Sequence, residues 1–144
     1  MDYEQEKKIY ISYCGSYCHK CDWHTGRIRK TAQATLALIK EYDGFVKLFE
    51  KHNVDSDKLQ HGLAVLAEST ICSGCKAEIR TNGTDRCDIR QCCSGKGLLL
   101  CNDCKSFPCD TLANNPGVIK FNCIENLNQI SNDGLEKWID KQWE

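Results

Sequence analysis

The sequence contains no hydrophobic run long enough to cross a bilayer. Near the cysteines, the longest uninterrupted apolar stretch is Leu98-Leu99-Leu100-Cys101. The N-terminal stretch MDYEQEKKIYISY is polar and charged and has no apolar core of the kind a secretory signal needs. The expectation is a cytoplasmic protein with no membrane partner. Charge of one sign is also missing. Nineteen basic and 20 acidic residues leave a net charge of −1, which argues against a strong electrostatic footprint for nucleic acid. Only a small basic patch, Arg27, Arg29 and Lys30 beside Trp23, keeps a nucleic-acid zinc module as a minor alternative. Phosphate-binding loops are absent too, because Ser94-Gly95-Lys96-Gly97 lacks the P-loop pattern. No catalytic order of serine, histidine and acid can be read. The acidic pairs fall on helix faces, where solvation explains them. No catalytic residue is assigned, and the reading leans away from an enzyme. Internal repeats and low-complexity linkers are lacking as well.

Cysteine, by contrast, is abundant: 12 in 144 residues, or about 8%, near the level that marks a cysteine scaffold. In a reducing compartment such a chain is expected to bind metal rather than form disulfides. Cys14, Cys18 and Cys21 come first, and the next fifty residues contain no cysteine. Eight then crowd into 72–109, and Cys123 stands alone.

The stretch YCGSYCHKC (13–21) has the spacing C-x3-C-x2-C, which radical SAM enzymes use to hold an iron–sulfur cluster. That chemistry is housed in a large α/β barrel. A chain of 144 residues with helical flanks has no room for one. The three thiolates are too few to close a tetrahedral site alone. A fourth ligand has to come from 72–109, from His24, or from solvent.

Two C-x2-C units follow, Cys72-Ser73-Gly74-Cys75 and Cys101-Asn102-Asp103-Cys104. Two thiolates three residues apart on a tight turn can grip one tetrahedral ion, and a glycine eases that turn. Cys87, Cys92 and Cys109 lie within loop reach. One grouping pairs the knuckles: Cys72, Cys75, Cys101 and Cys104 around one ion. The other is sequential: Cys72, Cys75, Cys87 and Cys92 around one ion, and Cys101, Cys104 and Cys109 with a ligand from the N-terminal loop around a second. Shorter loops cost less entropy to close, which tilts the choice to the sequential grouping. The metal expected is zinc, two ions per chain, with an iron–sulfur cluster as the alternative. Cys93 directly follows Cys92, and neighbouring side chains point apart. Cys123 lies on an apolar helical stripe and reads as a small buried hydrophobe. His24, at C-x2-H from Cys21, is the only histidine with ligand spacing. His52 and His61 read as solvent-facing.

Helical periodicity fills the remainder. Ile28, Ala32, Thr35, Leu36, Ile39 and Tyr42 share one face of a helix over 25–43, with Thr25 as N-cap and Gly44 as its end. Phe45, Val46, Leu48 and Phe49 continue as a short helix. Asp55-Ser56-Asp57 offers caps for a helix carrying Leu59, Leu63, Leu66 and Ala67. Residues 71–110 read as irregular, with one or two helical turns over Asp88–Ser94 stopped at Gly95. Such a loop-rich stretch rarely packs unaided, and bound metal is a usual remedy. Asn115-Pro116 starts a tail helix whose stripe is Ile119, Cys123, Leu127 and Ile130. A turn at 131–134 precedes the apolar face of Leu135, Trp138 and Ile139. The expected fold is mainly α, all-α or a small α+β, with an irregular zinc-knuckle-like segment. It forms a single domain over 1–144: an N-terminal cysteine loop (13–24), helices (25–70), the knuckle segment (71–110) and C-terminal helices (111–144).

These motifs together resemble the family of the domain of unknown function 3795. The matching pieces are Tyr13-Cys14-Gly15 with Cys18 and Cys21, Cys72-x-Gly74-Cys75, Cys87-x-Ile89-Arg90-x-Cys92, and Cys101-x2-Cys104-x2-Phe107-Pro108-Cys109. The tail Gly134-Leu135-Glu136-Lys137-Trp138 is similar as well. The resemblance implies metal binding, zinc above all, through those ten cysteines, and no assigned activity. The function expected is a structural zinc-binding protein, with an interaction or adaptor role. An iron–sulfur protein for electron transfer or sensing is the alternative.

Overall fold

The computed structural model describes residues 1–69, 72–77 and 86–144. Gly83 and the rest of 78–85 in the knuckle segment, together with Thr70 and Ile71, lie outside the described residues. The described residues are mainly helical. They contain no β-strand, only an isolated antiparallel bridge between Ile11 and Tyr17. The chain divides into two units, Met1–Cys21 with Ser73–Glu144, and Asp22–Cys72.

The unit Asp22–Cys72 consists of three helices after α1 (Tyr3–Gln5) of the other unit: α2 (Arg27–Glu41), α3 (Gly44–Lys51) and α4 (Ser56–Ala67). The apolar period of α2 buries Ala32 and Ile39. The N-cap of α2 is Gly26, at φ +73°, one residue past the expected Thr25. Asp55 caps α4 as expected, accepting from the Lys58 backbone N–H. Arg29 Nε and Gln33 Nε2 both donate to the Ala67 carbonyl, at 3.2 and 3.0 Å, and tie α2 to the end of α4. The Cys72 N–H donates to the Trp23 carbonyl at 3.2 Å, so the two ends of this unit meet.

The other unit begins with α1 and one π-helical turn (Glu6–Tyr10), and a 3-10 turn spans Cys18–Lys20. After the undescribed residues come α5 (Asp88–Gly95), a 3-10 turn at Cys101–Asp103, α6 (Asp110–Ala113), α7 (Pro116–Lys120), α8 (Cys123–Asp133) and α9 (Leu135–Lys141). The short helix at 88–95 falls where the sequence places it. The tail helix does not run unbroken. Asn122 takes a left-handed conformation (φ +52°) and separates α7 from α8. The expected stripe therefore fails at its first member. Ile119 is 66% exposed, while Val118 takes the buried position on α7. Asparagine tolerates that backbone region better than most residues, so a short break there costs little.

One core cluster holds this unit together: Ile11, Tyr17, Ile89, Leu100, Leu112, Val118, Leu127, Ile130, Trp138 and Ile139, with Cys123 among them. Tyr17 stacks edge-on against Trp138 at 5.6 Å. Its hydroxyl donates to Glu6 at 2.6 Å. Burial, aided by that carboxylate, raises the Tyr17 pKa. Cys14, Cys87, Cys101 and Cys109 pack against the same cluster. Five of the unit's cysteines are thus part of its core or pack directly against it.

Candidate metal centre

All twelve cysteines lie among the described residues and are thiols, with no disulfide between them. Burial sorts them. Cys18, Cys72, Cys93 and Cys123 are buried, Cys92 is exposed, and the other seven are half-buried.

Three short segments position the sulfurs. The first is the N-terminal loop. Gly15 sits at φ +92°, and a Cβ there would lie 2.7 Å from Leu127 Cγ and 2.9 Å from the Cys123 carbonyl oxygen. Only glycine lets this loop approach α8 so closely. Asn126 Nδ2 donates to the Gly15 carbonyl at 3.0 Å and holds it there. The second segment is the Cys101–Asp103 turn. The Cys101 N–H donates to the Tyr13 carbonyl at 2.8 Å, and Asn102 Nδ2 donates to Ser131 Oγ at 2.8 Å. The third is the turn at Gly74, which has φ +97°. A Cβ on Gly74 would lie 3.6 Å from Cys18 Sγ, so the first cysteine segment reaches this knuckle turn. Arg90 Nε donates to the Cys75 carbonyl at 2.8 Å and fixes the same turn to α5.

A hydrogen bond with the Cys123 thiol lowers the Cys14 pKa and raises that of Cys123. Ser12, itself 2% exposed, places its hydroxyl 3.2 Å from Cys14 Sγ. Cys93 Sγ donates to the Leu98 carbonyl at 3.6 Å and interacts with Cys101. Burial raises both pKa values, and the hydrogen bond between them raises Cys101 further while lowering Cys93. Lys96 Nζ lies 3.4 Å from Cys104 Sγ. A backbone hydrogen bond from Ser106, helped by Lys96, lowers the Cys104 pKa. Cys87, at the N-cap of α5, has its pKa raised by burial. Lys76 is a partly buried cation, its pKa lowered to about 8 by desolvation, and it feels the nearby Cys93, Cys18 and Cys75.

A cavity of about 50 Å³ is lined by Cys92, Cys93, Cys101, Cys104 and Cys109. Ile89, Leu98, Phe107 and Leu112 form its apolar walls. It is far smaller than the roughly 300–1,000 Å³ sites that take organic ligands. The cavity takes Cys92 together with Cys101, Cys104 and Cys109, across the division that the sequential grouping makes. Lys96, Ser106 and Thr111 complete the lining, and the five cysteines are its soft donors, the kind that zinc and iron–sulfur clusters prefer. A thiolate-bound soft metal fits these residues on that ground. Among the described residues, no three histidine, cysteine or acidic side chains already stand together as a metal-holding group.

Cys123 is fully buried in the apolar core, the small buried hydrophobe its helical stripe predicts, and Cys93 is buried as well. His24, in the Asp22–Cys72 unit, has Nδ1 2.8 Å from the Cys72 carbonyl. His52 and His61 are exposed, as read. No helix among the described residues is long and apolar enough to cross a membrane.

No curated protein and no solved structure matches the chain. One family matches residues 10–114, more than half the chain and every cysteine except Cys123. It is the one the cysteine motifs point to, and the chain belongs to the family described as Protein of unknown function (DUF3795).

Proposed function

We propose that the protein is a structural metal-binding protein that holds zinc through cysteine thiolates. The observation that carries this reading is the small cavity lined by five cysteines, Cys92, Cys93, Cys101, Cys104 and Cys109, beside Lys96, Ser106 and Thr111; of the five, Cys92, Cys101, Cys104 and Cys109 are the ligands proposed. Four thiolates make a closed tetrahedral zinc site, and such a site contributes folding energy directly. Cys14, Cys18, Cys21, Cys72, Cys75 and Cys87 belong to the remaining ligand set, for a total of two ions. A cysteine density this high is in keeping with a reducing cytoplasm, where thiols stay reduced. Leu38, Val46, Leu48 and Val65 lie exposed in the helical unit Asp22–Cys72 and support an interaction or adaptor role.

Elemental analysis of freshly purified protein tests the reading. The result expected is two zinc ions per chain in a colourless protein. Protein devoid of metal, with every thiol oxidised, would overturn it. The cysteine-rich lining also suits the alternative reading, an iron–sulfur protein for electron transfer or sensing. Brown, anaerobically purified protein with visible absorbance selects that reading over zinc. Chelation, or Cys75→Ser, is expected to expose 86–109 to protease. Full resistance of that stretch without metal would rule out a structural role for the ion.

A further inference from the structure

We infer that Lys96 is a positioning residue of the metal centre in the cavity: its ammonium donates to the Cys104 thiolate and offsets the negative charge that the sulfurs gather around the ion. This rests on the metal-binding reading above and adds to it a basic residue from outside the cysteine motifs.

A helix cap brings Lys96 to the sulfur. α5 ends at Gly95, and Lys96 is its C-cap. The Lys96 N–H donates to the Cys92 carbonyl at 3.2 Å. The Gly97 N–H donates to the Ser94 carbonyl at 3.0 Å, and the Leu98 N–H to the Cys93 carbonyl at 3.1 Å. Gly97 sits at φ +69°. The last two bonds, around a left-handed glycine, make a Schellman cap. This is the part that Ser94-Gly95-Lys96-Gly97 plays: without the phosphate-loop pattern, it ends a helix and sets the place of Lys96. The other partner is fixed as well. The Cys104 N–H donates to the Cys101 carbonyl at 3.1 Å, and the Phe107 N–H to the Cys104 carbonyl at 3.1 Å. Lys96 Nζ, 3.4 Å from Cys104 Sγ, therefore joins two turns that are each held by their own backbone bonds.

The chemistry of the cavity calls for a cation at this place. Four thiolates around a doubly charged ion leave negative charge in excess. Among the described residues that line the cavity, Lys96 is the one basic group, and none is a carboxylate. A charge-assisted hydrogen bond to a ligand sulfur offsets part of that excess and orients the sulfur, as the outer partners of metal ligands do. Lys96 also stands at the carboxyl end of α5, where the helix dipole favours a cation. Its side chain is exposed and fills no space in the core, so it can be replaced without a cavity. The same exposure lets dissolved salt screen its charge, which separates an electrostatic role from a packing one.

The test compares the zinc affinity of the full-length wild type with that of Lys96→Met, by competition with a chelator at low and at high salt. The variant keeps an unbranched apolar stem and removes the charge. The result expected is an affinity about tenfold lower at low salt. That gap is expected to narrow near about 1 M salt, where the screening length falls to about 3 Å. Cobalt-loaded protein gives a second measurement. A thiolate that loses a hydrogen-bond donor gives up an electron more easily, so the sulfur-to-cobalt charge-transfer band is expected to move to lower energy in Lys96→Met. Unchanged affinity, an unmoved band, or a loss of affinity that salt does not narrow would each overturn the inference and leave the metal reading standing. A wild-type chain that binds neither zinc nor cobalt would overturn both.

Discussion

Gly15 shows how much one missing side chain can decide. Its φ of +92° is strained for any residue with a Cβ, and that Cβ would sit 2.7 Å from Leu127 Cγ. The left-handed strain costs about 1–2 kcal/mol and overpacking a further 1–3 kcal/mol or so. Gly15→Ala is therefore expected to destabilise the unit by roughly 2–5 kcal/mol, read as a lower denaturation midpoint in a urea titration. An unchanged midpoint would mean that the loop does not rest on α8 as described. Leu127, fully buried on the other side of this contact, tests the same packing from the helix. Leu127→Ala is expected to cost about 2–5 kcal/mol, from lost transfer energy plus a cavity. Because the two residues touch, the costs of Gly15→Ala and Leu127→Ala should not add. A double-mutant cycle would show a coupling of about 0.5–3 kcal/mol.

At the level of elements, the caps and breaks of the tail can be tested separately from the metal. Asn115 accepts from the backbone N–H groups of Gly117 and Val118, and Pro116 occupies the first helical position. Asn115→Ala should cost about 1 kcal/mol of stability in thermal or chemical unfolding. Asn122 separates α7 from α8 with a left-handed backbone. Asn122→Gly should be close to neutral, whereas Asn122→Val should cost about 1–2 kcal/mol, since a branched side chain resists that conformation. This break also marks where sequence reading stops working. The apolar spacing correctly locates the helices at 27–41 and 56–67, because each carries its own period, and the short turns expected over Asp88–Ser94 appear as α5. It runs α7 and α8 together because Ile119 and Cys123 happen to fall four residues apart. Only the backbone at Asn122 turns Ile119 out to solvent. Contacts around the cysteines escape it for a different reason. The motifs name ten sulfurs by spacing along the chain. The approach of Gly15, next to Cys14, to the Cys123 carbonyl is made by loop and helix packing, and spacing holds no record of it.

For the whole molecule, the two units should respond differently to loss of metal. The unit Asp22–Cys72 draws its contacts from α2 against α4 and holds only one cysteine, at its end. The unit of Met1–Cys21 and Ser73–Glu144 carries the other eleven. Hydrogen exchange on chelated protein is expected to show protection retained in 27–41 and 56–67 and lost in 88–95 and 123–133. Uniform loss across both sets would contradict a structural role confined to the cysteine-bearing unit.

The bond from the Cys72 N–H to the Trp23 carbonyl closes the ends of the Asp22–Cys72 unit on each other. Arg29 and Gln33 of α2 meet Ala67 of α4 at separations of 38 and 34 residues, shorter than those between the N-terminal cysteines and Cys87–Cys109, and contacts closer in sequence tend to form earlier. Once that hairpin has formed, Cys21 and Ser73 are joined by a short stem and not by fifty loose residues. The entropy of bringing Cys14, Cys18 and Cys21 to the later cysteines then grows with the stem and no longer with the full insertion. The order of events in folding follows: hairpin first, sulfur centre second. Lengthening the α2–α4 hairpin should leave metal capture as fast as before, whereas unravelling its base should slow it.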